Sequence, residues 1–328
     1  KQEFYDQFNL DRDGTEVQIF DTFDISETET FTQELNLNIE REGMSLVFGG
    51  YYMDDETSRH THFDNPLPVF GFPFQSGIEF KHLKMNLEST AYFADGTFDI
   101  NDNTRLSLGV RRTTDEFTNA QDNSFFMMIP GAGYTTVAQT CLRETTQEYN
   151  STTSRAVLQH DLSNESNLYV SVSEGFKAGG YATYECADPY APEEVTSLEF
   201  GFKGSLSDAT SVNASVFRYD YSDFQVLQVV GIQTVTRNAG DATVNGLEIE
   251  ALSQISDNTT LNYGLVWLDA TYGEFMNANG LAPELGMQQL EGKTLSNAPK
   301  FSANLGINHT RNLDSGSTLT FRANALYK

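Results

Sequence analysis

Residues 301–308 read Phe-Ser-Ala-Asn-Leu-Gly-Ile-Asn, so apolar and polar side chains alternate one by one. The same alternation recurs at 105–111, Arg-Leu-Ser-Leu-Gly-Val-Arg, and at 197–203, Ser-Leu-Glu-Phe-Gly-Phe-Lys. Successive side chains of a β-strand point to opposite faces of the sheet, so each segment has one apolar and one polar face. The polar face carries charges and glycines, and the pattern recurs along nearly the whole chain. This is typical of a transmembrane β-barrel with lipid outside and a polar lumen inside.

The overall composition argues against a helical membrane protein. The chain has 328 residues, of which 39% are hydrophobic, and it contains no run of about 18 apolar residues, as a membrane-spanning helix would need. A β-barrel is not excluded by this test, because only every second residue of its strands must be apolar. The length suits one large barrel or two ordinary domains, and we interpret residues 1–328 as one barrel domain.

The strong negative charge excludes a nucleic-acid partner. The chain has 46 Asp and Glu residues against 20 Lys and Arg, a net charge of -26, which would repel nucleic-acid phosphates. Acidic residues cluster in predicted loops, for example at 11–13 and 54–56. A solvated surface is the favoured interpretation of these clusters, and attraction of cations towards a pore mouth is the alternative.

The predicted strands are joined by connections that alternate in length. Strands are predicted at 30–41, 44–54, 79–98, 104–117, 151–162, 167–176, 195–206, 210–228, 233–254, 259–275, 299–310 and 317–327, with a weaker one at 15–24. Short Asn, Asp, Ser and Gly turns alternate with long loops at 55–78, 118–150, 177–194 and 276–298. Outer-membrane barrels have short periplasmic turns and long extracellular loops. The order therefore predicts an all-β fold, an antiparallel transmembrane β-barrel.

Aromatic residues and glycines set further expectations. Aromatics make up 12% of the chain and many lie near predicted strand ends, as in aromatic girdles, although strands favour aromatics in general. Phe217, Tyr219 and Tyr221 lie on the opposite parity to the apolar residues of their strand, so a bulge or a change of environment is expected there. Gly246 indicates a bulge or a close backbone approach, and the glycine-rich segment 175–180 indicates a close turn at the barrel rim.

Several segments resemble signature segments of TonB-dependent outer-membrane receptors. Residues 168–180, Leu-Tyr-Val-Ser-Val-Ser-Glu-Gly-Phe-Lys-Ala-Gly-Gly, and 192–203, Pro-Glu-Glu-Val-Thr-Ser-Leu-Glu-Phe-Gly-Phe-Lys, resemble two consecutive strands of that family. Further similar segments are 217–225, 237–240, 244–248, 297–301 and, more loosely, 33–37 and 49–52. Each motif alone is weak, but their common order and spacing over residues 30–328 make the resemblance specific.

The resemblance implies both a fold and a function. Such receptors are barrels of about 22 strands with a plugged lumen, so this chain is expected to be a partial barrel of about twelve strands, cut at both ends and without the plug. In the family an N-terminal box contacts TonB, and force on it admits a scarce ligand, often a ferric siderophore. The implied partners are TonB, through a region outside this chain, that ligand, and outer-membrane lipid or lipopolysaccharide. The implied location is the bacterial outer membrane.

The sequence contains few signals of catalysis or metal binding. The chain has no Gly-x-Ser-x-Gly, P-loop or His-Glu-x-x-His motif, so neither enzyme activity nor a cofactor is expected. His60 and His62 are weak metal-ligand candidates, since residues i and i+2 of a strand share a face, but a solvated polar loop is the favoured interpretation. Cys141 and Cys186 can pair in an oxidising compartment, and two unpaired thiols are the alternative.

Candidate ligand-binding residues lie in the long loops. Phe70, Phe72 and Phe74 belong to an apolar stretch, and exposed apolar patches usually mark a contact. They line a ligand vestibule in one interpretation and pack on neighbouring loops or the plug in the other; the same two interpretations apply to Tyr181 and Tyr184. The predicted lumen face also carries charged residues that are able to pair across strands or to meet the plug. These are Arg111, Glu199, Lys203, Glu248, Glu250 and Arg322.

Two other classes of protein remain open from the sequence. A passive barrel, such as a porin or an adhesin translocator, would have no plug domain upstream. A soluble, secreted all-β carbohydrate-binding protein would bury the apolar faces against each other rather than against lipid. The ordered motifs and the alternating loop lengths favour the energised receptor over both.

Overall fold

The computed structural model describes an all-strand protein. The described residues are 2–11, 21–65, 76–129, 133–181, 186, 188–230, 233–278 and 286–328. Within these ranges no helix is long and apolar enough to cross a membrane. The strands are β1 (Gln2–Asp11), β2 (Asp21–Arg41), β3 (Met44–Asn65), β4 (Ser76–Asn101), β5 (Thr104–Ile129), β6 (Gly133–Ser163), β7 (Ser166–Lys177), β8 (Glu193–Ser207), β9 (Thr210–Ser222), β10 (Gln225–Val230), β11 (Gln233–Asn238), β12 (Ala242–Ser256), β13 (Thr259–Tyr272), β14 (Met276–Ala278), β15 (Met287–Gln289), β16 (Phe301–Asn312) and β17 (Thr318–Tyr327).

One antiparallel sheet contains most of these strands. Its 13 strands run in the order β1-β2-β3-β4-β5-β6-β7-β8-β9-β12-β13-β16-β17. Two hairpins, β10–β11 and β14–β15, form separate two-stranded sheets. In the described residues β1 and β17 pair with inner neighbours only, so the sheet is an open part of a barrel wall. The up-and-down order confirms the predicted antiparallel architecture.

The strand register gives the sheet an apolar outer face and a polar inner face. Leu247 lies opposite Val216 and Trp267, and Trp267 lies opposite Phe301 on the next strand. On β2 the outer-face residues Leu35 and Leu37 are 69% and 60% exposed. We define the apolar band as the part of the outer face that lies at the height of residues 31–39 of β2 and residues 154–162 of β6. Its height of about nine residues is close to what a β-strand needs to span a bilayer.

The strands β3 to β6 are much longer than the sequence predicted. They contain 22, 26, 26 and 31 residues, so most of the predicted loops 55–78 and 118–150 is strand, and those loop predictions were wrong. The segments are rich in polar residues, which suggested loops. Backbone pairing with neighbouring strands forms these segments without an apolar face: β3, β4 and β5 pair on both sides, whereas β6 pairs in this region with β5 alone. We call the part of β2–β6 beyond the apolar band the extension.

Two predicted strands are interrupted. Residues 210–228 divide into β9 and β10, and 233–254 divide into β11 and β12. Asp223, with a φ of 52°, and Gly240, with a φ of 81°, lie at these breaks, where left-handed backbone cannot continue a strand. The hairpin β10–β11 therefore leaves the barrel wall at one point.

The structure also differs from the prediction at the N-terminal strands and in the predicted loop 276–298. The strand β1 was not predicted, and the predicted weak strand at 15–24 overlaps the start of β2 at 21–24, while 15–20 lie outside the described residues. The predicted loop 276–298 contains the short pair β14–β15.

The unusual parity of β9 has a packing explanation. Its pairing with β12 is uninterrupted from Ala242 to Ser253, so β9 has no bulge on that side. Phe217 and Tyr219 lie on the inner face and stack with ring centroids 4.7 Å apart. A Cβ atom at Gly246 would overlap the ring of Phe217. The close approach expected at Gly246 is therefore made by the Phe217 ring, which covers the glycine backbone.

Candidate functional site

A loop folds over the inner face of the extension and forms the candidate site. It joins β7 to β8, and we name residues 178–192 the rim loop. The inner face of β5 beneath this region carries buried polar residues: Asp115, Asn119, Gln121 and Asn123, each at most 6% exposed. Buried amide and carboxylate groups at the long-loop end of a barrel are unusual for simple packing, so the region is a candidate for binding.

Two side-chain links hold the rim loop to β6. Cys141 and Cys186 form a disulfide with their Cα atoms 5.5 Å apart, which is the paired alternative of the two left open by the sequence. Arg143 Nη2 lies 2.9 Å from Asp188 Oδ1. The disulfide closes a loop of 45 residues, which removes about 4 kcal/mol of chain entropy from the unfolded state in the loop-closure model. The rim loop is therefore held in place covalently.

Glycines allow the rim loop to leave β7 at close quarters. Gly180 and Tyr190 exchange backbone hydrogen bonds of 3.2 and 2.8 Å, which closes the base of the loop. A Cβ atom at Gly179 would overlap the carbonyl of Tyr190 and the ring of Tyr149. The glycine-rich segment therefore forms the close turn at the rim that the sequence indicated.

Four aromatic side chains meet beneath the rim loop. Tyr149 on β6 is 9% exposed, and its hydroxyl donates to the carbonyl of Tyr190 over 3.4 Å. The rings of Phe117 and Tyr181 lie 5.3 Å apart. We name these residues the tyrosine cluster; the group lies beyond the apolar band.

Burial shifts the pKa of two hydroxyl groups in the tyrosine cluster, those of Tyr149 and Tyr190. Burial, with smaller contributions from Tyr181 and Tyr190, raises the pKa of Tyr149 to about 12, and burial raises the pKa of Tyr190 as well. The hydroxyl of Tyr181 is buried and has no hydrogen-bond partner among the described residues. A buried, unpaired donor in an aromatic setting is suited to an oxygen-rich ligand.

Two amide side chains clamp both ends of the rim loop. Gln225 Nε2 donates to the carbonyls of Ala178 and Ala191 at 3.0 and 3.1 Å. Asn238 Nδ2 donates to the carbonyl of Ala191 at 3.0 Å, and its Oδ1 accepts from Ala191 N at 2.8 Å. Both amides come from the ends of the β10–β11 hairpin. Hairpin and rim loop therefore share one rigid base.

The clamp explains why separate sequence motifs carry the family resemblance. The segments 168–180, 192–203, 217–225 and 237–240 are distant in sequence, yet their ends meet at the base of the rim loop. The backbone N–H of Phe224 donates to the carbonyl of Gly240 over 2.6 Å, and that of Ala239 to the carbonyl of Phe224 over 2.6 Å. The motifs thus encode one structural junction.

The residues proposed from the sequence have different positions in the structure. Tyr181 belongs to the tyrosine cluster, whereas Phe70, Phe72, Phe74 and Tyr184 lie outside the described residues. The residues of the site that sequence reasoning missed include Phe117, Tyr149, Arg143 and Gln225. Three of them lie at the end of a predicted strand or inside the predicted loop 118–150. Gln225 lay in a motif but had no assigned role.

The two histidines lie on a strand rather than in a loop. His60 and His62 are on β3, opposite Ile25 and Phe23 of β2, and so share a face as expected. The ring of His62 packs 4.7 Å from that of Phe126. In the part of the chain that the structure describes, no group of three or more His, Cys, Asp or Glu residues is arranged to hold a metal ion. The structure therefore adds no support to a metal role.

A buried ion pair fixes the other side of the extension. Asp24 on β2 is 2% exposed and accepts from Arg59 Nη2 at 2.6 Å and from Thr61 Oγ1 at 2.9 Å. These residues lie on the inner face of β2 and β3. A paired and hydrogen-bonded buried charge favours a fixed geometry.

Charged residues also line the inner face at the level of the apolar band. Arg155 on β6 reaches Asp95 on β4 over 2.7 Å, and Tyr169 on β7 donates to Glu199 on β8. Lys203 Nζ lies 4.9 Å from the centre of the Tyr169 ring. Opposite charges thus pair across strands at Arg155, a residue that the sequence analysis did not name, and the predicted inner-face positions of Glu199 and Lys203 agree with the register.

The fold and the site define a class of protein, a barrel wall with an apolar outer band, a charged inner face and a covered rim. The family model described as "TonB dependent receptor-like, beta-barrel" matches residues 2–327. The chain belongs to this family, whose members are outer-membrane proteins of Gram-negative bacteria. None of the curated proteins matches the chain.

Solved structures have the same fold. The ferric yersiniabactin uptake receptor FyuA from Yersinia pestis aligns with a TM-score of 0.71 at 17% identity, over 92% of this chain and 43% of that one. The siderophore receptor PiuA from Acinetobacter baumannii aligns at 0.61 and 16% identity, over 88% and 44%. The copper transporter OprC aligns at 0.63 and 16% identity, over 88% and 42%. The chain thus spans less than half the length of these proteins.

Proposed function

We propose that the chain is part of an outer-membrane receptor that imports a scarce ligand with energy supplied through TonB. The family membership supports the receptor class. The observation that carries the proposal is the tyrosine cluster beneath the rim loop, since it places a buried, unpaired hydroxyl at the long-loop end of the barrel wall. In outer-membrane barrels this end faces the outside of the cell.

The ligand proposed is a ferric siderophore. FyuA is described as a ferric yersiniabactin uptake receptor, PiuA as a siderophore receptor and OprC as a copper transporter, so the shared fold alone leaves the cargo open. The chemistry of the site favours an oxygen-rich chelate, because the buried hydroxyl of Tyr181 has an unused donor and lies among the aromatic rings of the tyrosine cluster. Such hydroxyl groups donate hydrogen bonds to carboxylate, catecholate or phenolate oxygens.

The proposed surroundings follow from the two faces of the sheet. The apolar band would contact outer-membrane lipid, with lipopolysaccharide beside the extension. TonB would contact a region outside this chain. In this proposal the chain binds and transports, and no residue of it has a catalytic role.

An uptake experiment tests the proposal. The gene is deleted, and uptake of radio-iron loaded on a panel of siderophores is measured under iron starvation, with the full-length protein supplied from a plasmid. We expect one siderophore to depend on both this protein and TonB. Dependence on the protein but not on TonB would favour the passive barrel. If copper uptake rather than iron uptake were lost in a parallel assay, copper would become the proposed ligand in place of a ferric siderophore.

A conductance measurement distinguishes the energised receptor from the passive barrel independently. The purified full-length protein is inserted in a planar lipid bilayer, and a plugged receptor is expected to conduct little current. A large, stable conductance in every insertion event would support a porin-like barrel.

A Tyr181→Phe variant, which removes only the unpaired hydroxyl, should weaken binding of the identified ligand without changing conductance.

A further inference from the structure

An arginine on the inner face lies on a platform of two aromatic rings. Phe93 on β4 is paired with Gly49 on β3, and a Cβ atom at Gly49 would overlap the Phe93 ring. The ring can therefore lie against the neighbouring strand. The guanidinium of Arg111 lies 5.5 Å from the centre of this ring and 5.5 Å from that of Tyr51. Such stacking holds a guanidinium in one orientation.

The platform leaves most donors of Arg111 unused. Its Nε donates to Thr113 Oγ1 over 3.1 Å. Within the described residues its two terminal nitrogens make no hydrogen bond, and Arg111 forms no ion pair with a carboxylate. Both aromatic rings lie beside the guanidinium carbon, and the two terminal nitrogens remain available for a planar acceptor.

Two other inner-face arginines of the same hairpin are neutralised. Arg155 makes two hydrogen bonds to Asp95, of 2.7 and 2.8 Å, and Arg105 makes two to Asp161, of 3.1 and 3.0 Å. Arg111 is thus the exception among these three. It lies at the outermost level of the apolar band, since its neighbour Val110 is the last apolar outer-face residue of β5 before Arg112.

We propose that Arg111 binds an oxyanion, a carboxylate or phosphate group, in the space that the inner face encloses. The geometry suits bidentate contact through its two terminal nitrogens. The proposal does not depend on which cargo the receptor imports. The oxyanion has two sources to distinguish: a dissolved anion, or an acidic side chain of the polypeptide that fills the lumen in the full-length protein.

Arginine modification tests the proposal. The full-length protein in detergent is treated with phenylglyoxal, and the extent of reaction at each arginine is followed by peptide mass spectrometry. Citrate and inorganic phosphate are the probes, and the ion-paired Arg155 is the internal reference. A dissolved anion as the occupant predicts that citrate or phosphate slows the reaction of Arg111 about tenfold, with no change at Arg155.

The other outcomes are equally decisive. If Arg111 resists the reagent at low salt and reacts at about 1 M NaCl, where ion pairs are screened, the occupant is an acidic side chain of the polypeptide. If Arg111 reacts freely with no protection by either probe, or stays unreactive at any salt concentration, the proposal is wrong.

Variants provide a second measurement on the same protein. Where citrate protects, Arg111→Gln should weaken citrate binding about tenfold, Arg111→Lys less, and the outer-face control Arg112→Gln not at all. Gly49→Ala should give a partial loss, because it displaces the Phe93 ring. Where the occupant is polypeptide, Arg111→Gln should reduce the salt dependence of the urea midpoint, and Arg112→Gln should leave it unchanged. Equal effects of Arg111→Gln and Arg112→Gln would overturn the assignment.

Discussion

The apolar band and the extension are built from the same strands, yet their outer faces differ: the band is apolar, whereas the extension is mostly polar apart from residues such as Leu142. On β6 the outer face carries Leu158 and Leu162 in the band but Glu144 and Glu148 in the extension, all of them exposed. The backbone pairing with β5 runs through both regions. The comparison shows that strand pairing is independent of the surroundings, whereas the outward side chains match the medium: lipid for one region and water for the other.

What holds each region differs as well. At the level of the band the wall is held by its backbone ladder and by inner-face pairs such as Arg155 with Asp95. The extension has buried polar groups, the ion pair of Asp24 with Arg59, and the disulfide of the rim loop. Changes in the two regions should therefore be detected by different measurements.

The largest effect is expected from removing the disulfide that ties the rim loop to the extension. Cys141→Ser should free the rim loop and remove up to about 4 kcal/mol of stabilisation in the loop-closure model, seen as faster limited proteolysis within 178–192. Cys186→Ser should behave identically, and the double variant should be no worse than either single one. Unchanged proteolysis in all three would mean that the clamp of Gln225 and Asn238 holds the loop alone.

A charge placed in the band comes next. Leu158→Arg should destabilise the protein by about 2–4 kcal/mol because it puts a cation on the lipid-facing surface. The matched control Glu144→Arg, on the outer face of the same strand in the extension, should change stability by less than about 0.5 kcal/mol. Urea unfolding in lipid vesicles measures both, and equal costs would contradict the boundary drawn here.

A smaller effect is expected where an aromatic ring covers a glycine. Gly246→Ala should cost about 1–3 kcal/mol because the Phe217 ring must move. Gly50→Ala is the control, since its added Cβ would lie 3.7 Å from the Tyr92 ring, an ordinary contact. Pairing Gly246→Ala with Phe217→Ala should give a non-additive result if the ring is the cause.

The smallest effect concerns pH. The pKa of Tyr149 is raised from 10.0 to about 12 in the folded protein, so its contribution to stability is fully present below pH 10 and is lost as the pH rises through 12. Proteolysis of the rim loop should accelerate over this interval. In Tyr149→Phe this component should disappear, and tyrosinate absorbance should show one fewer late-titrating group. An unchanged pH profile would argue against the burial of Tyr149.

Much of the wall could be predicted, because residues near in sequence decide it. Alternation with a period of two identified the strands and their faces at 105–111 and 197–203, and Asn, Asp, Ser and Gly residues identified the short turns. Prediction was wrong for the extension, since strands such as 133–150 are polar on both faces. Nothing in a polar sequence distinguishes a paired strand in water from a loop.

The sequence by itself determined the all-strand architecture, the inner and outer faces, and the family, because these depend on local alternation and on motifs in order. Only the tertiary structure decided the site. The meeting of Tyr149, Tyr181 and Tyr190 and the pairing of Cys141 with Cys186 depend on contacts between distant segments. So does the position of Arg111, which forms no ion pair with a carboxylate within the described residues. Such contacts follow from register and loop path, which one-dimensional patterns do not encode.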